Sequence, residues 1–129
     1  MTVAFWCVFV AILLPYVATL YAKKNMPRRE NKAPRLYKEQ LEGAERRAAF
    51  AEANQFESFP AFAAAVIIAH IANSDQGIVD ALAVGYILAR VVYLYLYISD
   101  KSTLRTIVWA MGLACVLGLI ISAAITGSA

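Results

Sequence analysis

From Thr2 to Ala22 the chain carries no charged residue. A run of that length can cross a bilayer, which takes about 20 mostly apolar residues. Three further stretches approach it: roughly 56–73; roughly 78–99, interrupted by Asp80 and Arg90; and roughly 104–126, charged only at Arg105. A helix of a soluble bundle shows a polar outer stripe, and the first and last runs have none. The apolar fraction of 61% also exceeds the about 45–50% of ordinary soluble domains. The chain therefore reads as all-α, a polytopic membrane four-helix bundle. It forms a single domain over 1–129, with helices near 2–22, 44–73, 78–99 and 104–126.

A secretory signal has positive charge ahead of its apolar core. Here Lys23 and Lys24 follow the first run, which suits a retained helix. Nine of the twelve Lys and Arg lie between Lys23 and Arg47, whereas the 74–79 loop has none. Positive residues stay on the cytoplasmic side, so both termini are expected on the non-cytoplasmic side. The net charge of +3 is thus a topology signal. The aromatic-interleaved basic surface of a nucleic-acid binder is absent, and no nucleic-acid partner is expected. Cys7 and Cys115 lie within apolar helices without a Cys-x-x-Cys spacing, and read as free thiols packed as small apolar groups. No metal site is expected.

Pro27 and Pro34 should break helix up to about Arg35. The second long helix is then expected to begin at Gly43 or Ala44 and to enter the membrane near Asn54. On the last helix Ala110, Ala114, Gly118, Ser122 and Thr126 lie four apart. Such a small-residue face serves close packing either within one subunit or between subunits.

Residues three, four and seven apart share a helix face. Arg47, Phe50, Asn54 and Glu57 form one stripe on the second helix, and Tyr86, Arg90, Tyr93 and Tyr97 another on the third. Arg90 lies among apolar residues and needs a partner. Glu57 is the nearest plausible counter-charge in the sequence, so an ion pair between Glu57 and Arg90 is expected. It is either architectural or part of a site. Tyr97 and Tyr95 suit an interfacial aromatic belt, and Arg105 a positive anchor. His70 reads as an interfacial or capping group, and Asp75 and Asp80 as outer-loop charges.

"ERRAAFAEANQFESFP" before an apolar run, with "ARVVYLYLY" one helix later, resembles the membrane-associated proteins in eicosanoid and glutathione metabolism (MAPEG). The resemblance covers the whole chain and is to bacterial-type members similar to microsomal glutathione transferases. Arg47, Asn54, Glu57 and Pro60 match the family pattern on helix two, and Arg90, Tyr93 and Tyr97 that on helix three. Arg105 matches an arginine that activates the thiol in several relatives. The resemblance implies glutathione as cofactor, held by Arg47, Asn54, Glu57, Arg90 and Tyr97, with Arg105 and Tyr93 as catalytic groups. It also implies a homotrimer with sites between subunits, a lipophilic second substrate drawn from membrane lipid, and, for a bacterial member, the inner (cell) membrane. Relatives that bind glutathione usually carry arginine where this sequence has Phe50, and Arg105 lies one residue further from Tyr97 than expected in close relatives. Two readings stay open: a glutathione transferase or peroxidase acting on lipophilic electrophiles, and a non-catalytic trimeric binding or accessory protein without glutathione. A small multidrug transporter is the remote third, because its carboxylate normally sits in helix one, which here is uncharged.

Overall fold

The structure, a computed structural model, describes residues 1–127 and is all-helical there. Its elements are α1 (Val3–Ala22), a 3-10 turn (Arg28–Lys32), α2 (Pro34–Glu39), α3 (Gly43–Ile71), α4 (Gln76–Ile98) and α5 (Ser102–Gly127). The basic segment between the first two long helices is therefore partly helical. Pro34 starts α2 rather than delaying helix past Arg35, because a proline at the first helical position forfeits no intrahelical hydrogen bond.

Local chemistry sets the helix ends. Thr2 caps α1, its Oγ1 accepting from the Phe5 amide at 3.2 Å. Asp75 caps α4 by accepting from Ile78 at 3.0 Å. The ends of α3 and α4 close through left-handed residues, Asn73 (φ 55°) and Asp100 (φ 62°). The next amides then reach back, Ser74 to the Ala69 carbonyl and Lys101 to the Leu96 carbonyl, each at 3.0 Å, as at many helix C-termini. Gly43, at φ 57°, makes the turn from α2 into α3, a backbone state that costs a residue with a side chain about 1–2 kcal/mol.

The four long helices alternate in direction. Near one end Ala4, Cys7, Phe62, Val66, Ala69, Val79, Ala83, Leu119 and Ala123 pack together. Near the other, Ala18 meets Ala51 and Leu94, and Ala22 meets Ala48 and Leu41. α3 and α4 each pack on α1, on α5 and on each other. Asp80 is more than a loop charge: its Oδ1 accepts from the Ala4 amide at 2.8 Å, tying α4 to the positive end of the α1 dipole. His70 makes no capping bond and instead meets the Phe5 ring edge-on at 4.9 Å. Both cysteines are free.

Three helices, α1, α4 and α5, are long and apolar enough to cross a membrane. α3, counted above as a fourth such segment, is not, because Asn54, Gln55, Glu57, Ser58 and His70 dilute it. It shelters its polar face against its neighbours: Glu52 and Gln55 are buried alongside Ala48, Ala51, Phe62, Ala65, Val66 and Ala69.

Phe62 is the largest fully buried side chain and stacks on Tyr86 with ring centroids 3.9 Å apart. Phe62→Ala is expected to destabilise the protein by about 3–5 kcal/mol, read as a large fall in melting temperature in detergent. Ile68→Ala, on an exposed face of the same helix, should shift it far less.

Candidate functional site

Arg90 is 2% exposed at the centre of α4. Its partner is not Glu57. Among the described residues the ion pairs are Arg29–Glu30 and Lys38–Glu52, so Glu57 and Arg90 do not meet within 4.0 Å. Two neutral amides on α3 hold the guanidinium instead. Nε donates to Gln55 Oε1 at 2.8 Å and Nη2 to Asn54 Oδ1 at 2.7 Å. Gln55 Nε2 returns a bond to the Arg90 carbonyl at 3.3 Å. The reason is register: Gln55 lies on the buried face of α3 with Ala51 and Phe62, whereas Glu57 has turned outward and is exposed.

Two aromatic groups extend the arrangement. The Arg90 guanidinium lies over the Tyr93 ring at 4.3 Å, Tyr93 meets Tyr97 edge-on at 5.6 Å, and the Arg105 guanidinium lies over Tyr97 at 4.3 Å. Cation–aromatic contacts of this kind strengthen when water is excluded. The result is one ladder from mid-helix to the start of α5. On the other side the Tyr86 hydroxyl donates to Ser58 Oγ at 3.1 Å, and Ser58 Oγ donates to the Gln55 carbonyl at 3.2 Å.

Asn54, Ser58, Tyr86 and Arg90 of these groups line a cavity of about 240 Å³ between α3, α4 and α5, with Tyr93, Tyr97 and Arg105 outside its lining. Asn54, Glu57, Ser58, Tyr86 and Arg90 form its polar wall, and Trp109, Leu113 and Val116 its apolar wall. At Gly112 α5 packs directly on α4, and a Cβ there would make ordinary contact with Ala89 at 3.7 Å and the Arg90 stem at 3.8 Å. A guanidinium has five N–H donors, and two of them bond within the described chain. The remainder make no hydrogen bond among the described residues, and Arg90 lines the cavity.

The site thus gathers Asn54, Glu57 and Arg90 of the residues singled out in the sequence, with Tyr93, Tyr97 and Arg105 adjoining. It leaves two aside. Arg47 reaches the end of α4, where its Nε donates to the Ile98 carbonyl at 3.0 Å. Phe50 does not turn toward Arg90: it is 47% exposed and lies under the Arg46 guanidinium at 5.4 Å. Gln55 was missed, although a signal existed. Along the buried positions 48, 51, 52, 55, 62, 65, 66 and 69 of α3, the only polar residues are Glu52 and Gln55.

Comparison with protein families matches the MAPEG family over residues 3–125. The chain belongs to the MAPEG family. Comparison with curated proteins and with solved structures gave no match. Family membership and three apolar helices make this an integral membrane protein. In this MAPEG chain the polar cavity is therefore walled on two sides by apolar helices long enough to span, α4 and α5, where a charged group is costly and marks a functional site by default.

The hydrogen bonding separates structural from ligand-facing groups. Gln55→Leu removes the acceptor for Arg90 Nε and is expected to destabilise the protein by about 1–3 kcal/mol. Glu57→Gln should leave thermal stability close to that of the parent. Both are read as melting temperatures in detergent. Equal losses would mean that Glu57, rather than Gln55, holds Arg90.

Proposed function

We propose that this MAPEG protein is a glutathione-dependent transferase or peroxidase acting on lipophilic electrophiles. The observation that carries this reading is Arg90: a buried guanidinium with no carboxylate partner among the described residues and with unspent donors, lining a cavity that also holds an exposed carboxylate. Glutathione has two carboxylates, an ammonium and a thiol, and the lining suits those groups. Arg90, steadied by Asn54 and Gln55, offers its free donors to a carboxylate, and arginine binds carboxylates through paired bonds. Glu57, without an ion pair among the described residues, is free to hold an ammonium.

When bound, glutathione supplies a nucleophilic sulfur whose reactive form is the thiolate. A nearby cation lowers a thiol pKa. Arg105, beside the Tyr97 ring, and Tyr93, between Arg90 and Tyr97, are the groups assigned to that task. Trp109, Leu113 and Val116 present an apolar wall to a substrate arriving from the lipid.

In this reading α3 crosses with α1, α4 and α5 because its polar face is covered by its neighbours, and the fold is a membrane four-helix bundle with both termini on the non-cytoplasmic side, in the cell membrane if the source is bacterial. The working unit is a homotrimer. Two observations support a second chain at the site. The cavity, about 240 Å³, falls short of the roughly 300–1,000 Å³ typical of ligand pockets. On α5, the face packed within the chain is Gly112, Val116, Leu119 and Ala123, so Ala110 and Ala114 of the small-residue ladder remain exposed.

A second reading, an accessory member without glutathione, is favoured by Phe50, which stands where glutathione-binding relatives usually carry arginine. Calorimetry of the detergent-purified protein with glutathione separates the two. Saturable heat at or below millimolar ligand, with conjugation of a chlorodinitrobenzene, is expected for the enzyme. Arg105→Ala should then keep binding while lowering turnover roughly ten- to a hundredfold, the equivalent of a charge-assisted contact of about 1.5–3 kcal/mol. No heat at millimolar glutathione would leave the accessory role.

A further inference from the structure

A second recess lies outside the cavity just described. It is a groove of about 350 Å³ between α2 and α3, lined by Arg35, Lys38, Glu39, Arg46, Ala49 and Phe50. Lys38 is already committed, with Nζ 2.8 Å from Glu52 Oε1 and 3.0 Å from Oε2. That pair pins α2 to α3 and fixes both walls. Arg35 and Arg46 are different. Both are exposed, and among the described residues neither makes an ion pair, not even with Glu39 in the same lining. The Arg46 guanidinium is braced over the Phe50 ring at 5.4 Å.

The level of the groove is set by the packing beside it. Ala48 of α3 packs with Ala22 of α1, and Ala51 with Ala18. Phe50 is therefore at the last turn of α1, immediately before Lys23 and Lys24. This is where an apolar helix ends and a basic segment begins, the depth of phospholipid headgroups. Phe50 and Ala49 give the groove an apolar floor toward the hydrocarbon, and Arg35 and Arg46 give it a cationic rim.

We propose that this groove holds the phosphodiester headgroup of an anionic membrane phospholipid, with Arg35 and Arg46 on the phosphate oxygens and Phe50 against the first acyl carbons. Arginine forks match phosphate oxygens in pairs, and basic pockets at the membrane surface recognise lipid headgroups in this way. The site is independent of glutathione use. It also gives Phe50 a role that an arginine would not fill: a ring that braces Arg46 on one side and meets lipid on the other.

The test is native mass spectrometry of the full-length protein, delipidated in detergent and titrated with phosphatidylglycerol, phosphatidylcholine or soluble glycerol phosphate. Phosphatidylglycerol is expected to bind at least tenfold more tightly than either of the others. The double variant Arg35→Ala/Arg46→Ala should lose at least tenfold of that affinity, while Lys23→Ala/Lys24→Ala, which removes the same charge nearby, should keep it. Should the first double variant fail to fold, Arg35→Gln alone, on an exposed side chain, reads the same loss. Equal losses in the two double variants would reduce the effect to diffuse charge and overturn the proposal. Equal binding of soluble glycerol phosphate would overturn the lipid assignment.

Discussion

A guanidinium buried among apolar helices must be hydrogen-bonded or neutralised, and the way Arg90 is satisfied fixes the rest of this structure. Insertion scales put arginine at the middle of a membrane helix at a cost of about 2.5–3.5 kcal/mol. Two charge-assisted hydrogen bonds of about 1.5–3 kcal/mol each, with the Tyr93 face beneath, are enough to offset it. An amide does here what a carboxylate cannot. Gln55 accepts from Arg90 Nε and at the same time donates to the Arg90 carbonyl, gripping both side chain and main chain of α4. A carboxylate has no donor for the second bond. Gln55 thereby sets the register of α3 against α4, and Ser58, one turn on, meets Tyr86 in the same register.

The composition of α3 follows from that duty. It is the long helix that fails as a membrane span by composition, yet its inward-facing polar groups are matched: Glu52 by Lys38 of α2, and Asn54 and Gln55 by Arg90 of α4. Arg47 in turn closes the end of α4 at the Ile98 carbonyl. α1 and α5 make the opposite contribution. Both keep apolar outer faces, with Trp6, Phe9, Leu13 and Leu20 exposed on one and Leu113, Leu117, Ile121 and Ile125 on the other, as suits lipid or another subunit.

Much of this was legible in the sequence because it depends on charge and length. α1, α4 and α5 begin and end within about two residues of where their apolar runs stop, since Lys23, Asp75, Asp100 and their neighbours cannot follow the chain into hydrocarbon, whereas α3 starts at Gly43, well ahead of its apolar run. The stripe reading also put Asn54 on one face of α3 and Arg90, Tyr93 and Tyr97 on one face of α4. It failed at the partner of Arg90. Spacing fixes which residues share a face of one helix, but not how that face is rotated against the next. Glu57 and Gln55 differ by two positions, which is about 200° around a helix, and only packing decides which one turns inward. Opposite charge favoured Glu57. The small residues Ala48 and Ala51, by letting α1 and α4 approach, favoured Gln55. α2 was not separated as an element of its own, because a six-residue helix is decided by Lys38 finding Glu52 rather than by its own propensity.

The two cationic places in this chain differ in medium more than in charge. Arg90 has been stripped of water, so each remaining donor acts at a low effective dielectric and a small anion can be held with few contacts. Arg35 and Arg46 keep their water, compete with salt over a screening length of about 10 Å, and gain selectivity only where an apolar neighbour such as Phe50 adds to the charge. A chain that neutralised Arg90 with a carboxylate would have a more ordinary core and no reason to bind an anion there. By using amides, this one leaves a full positive charge in the membrane interior, held in place but not cancelled. Its geometry is complete without a ligand, and its electrostatics are not.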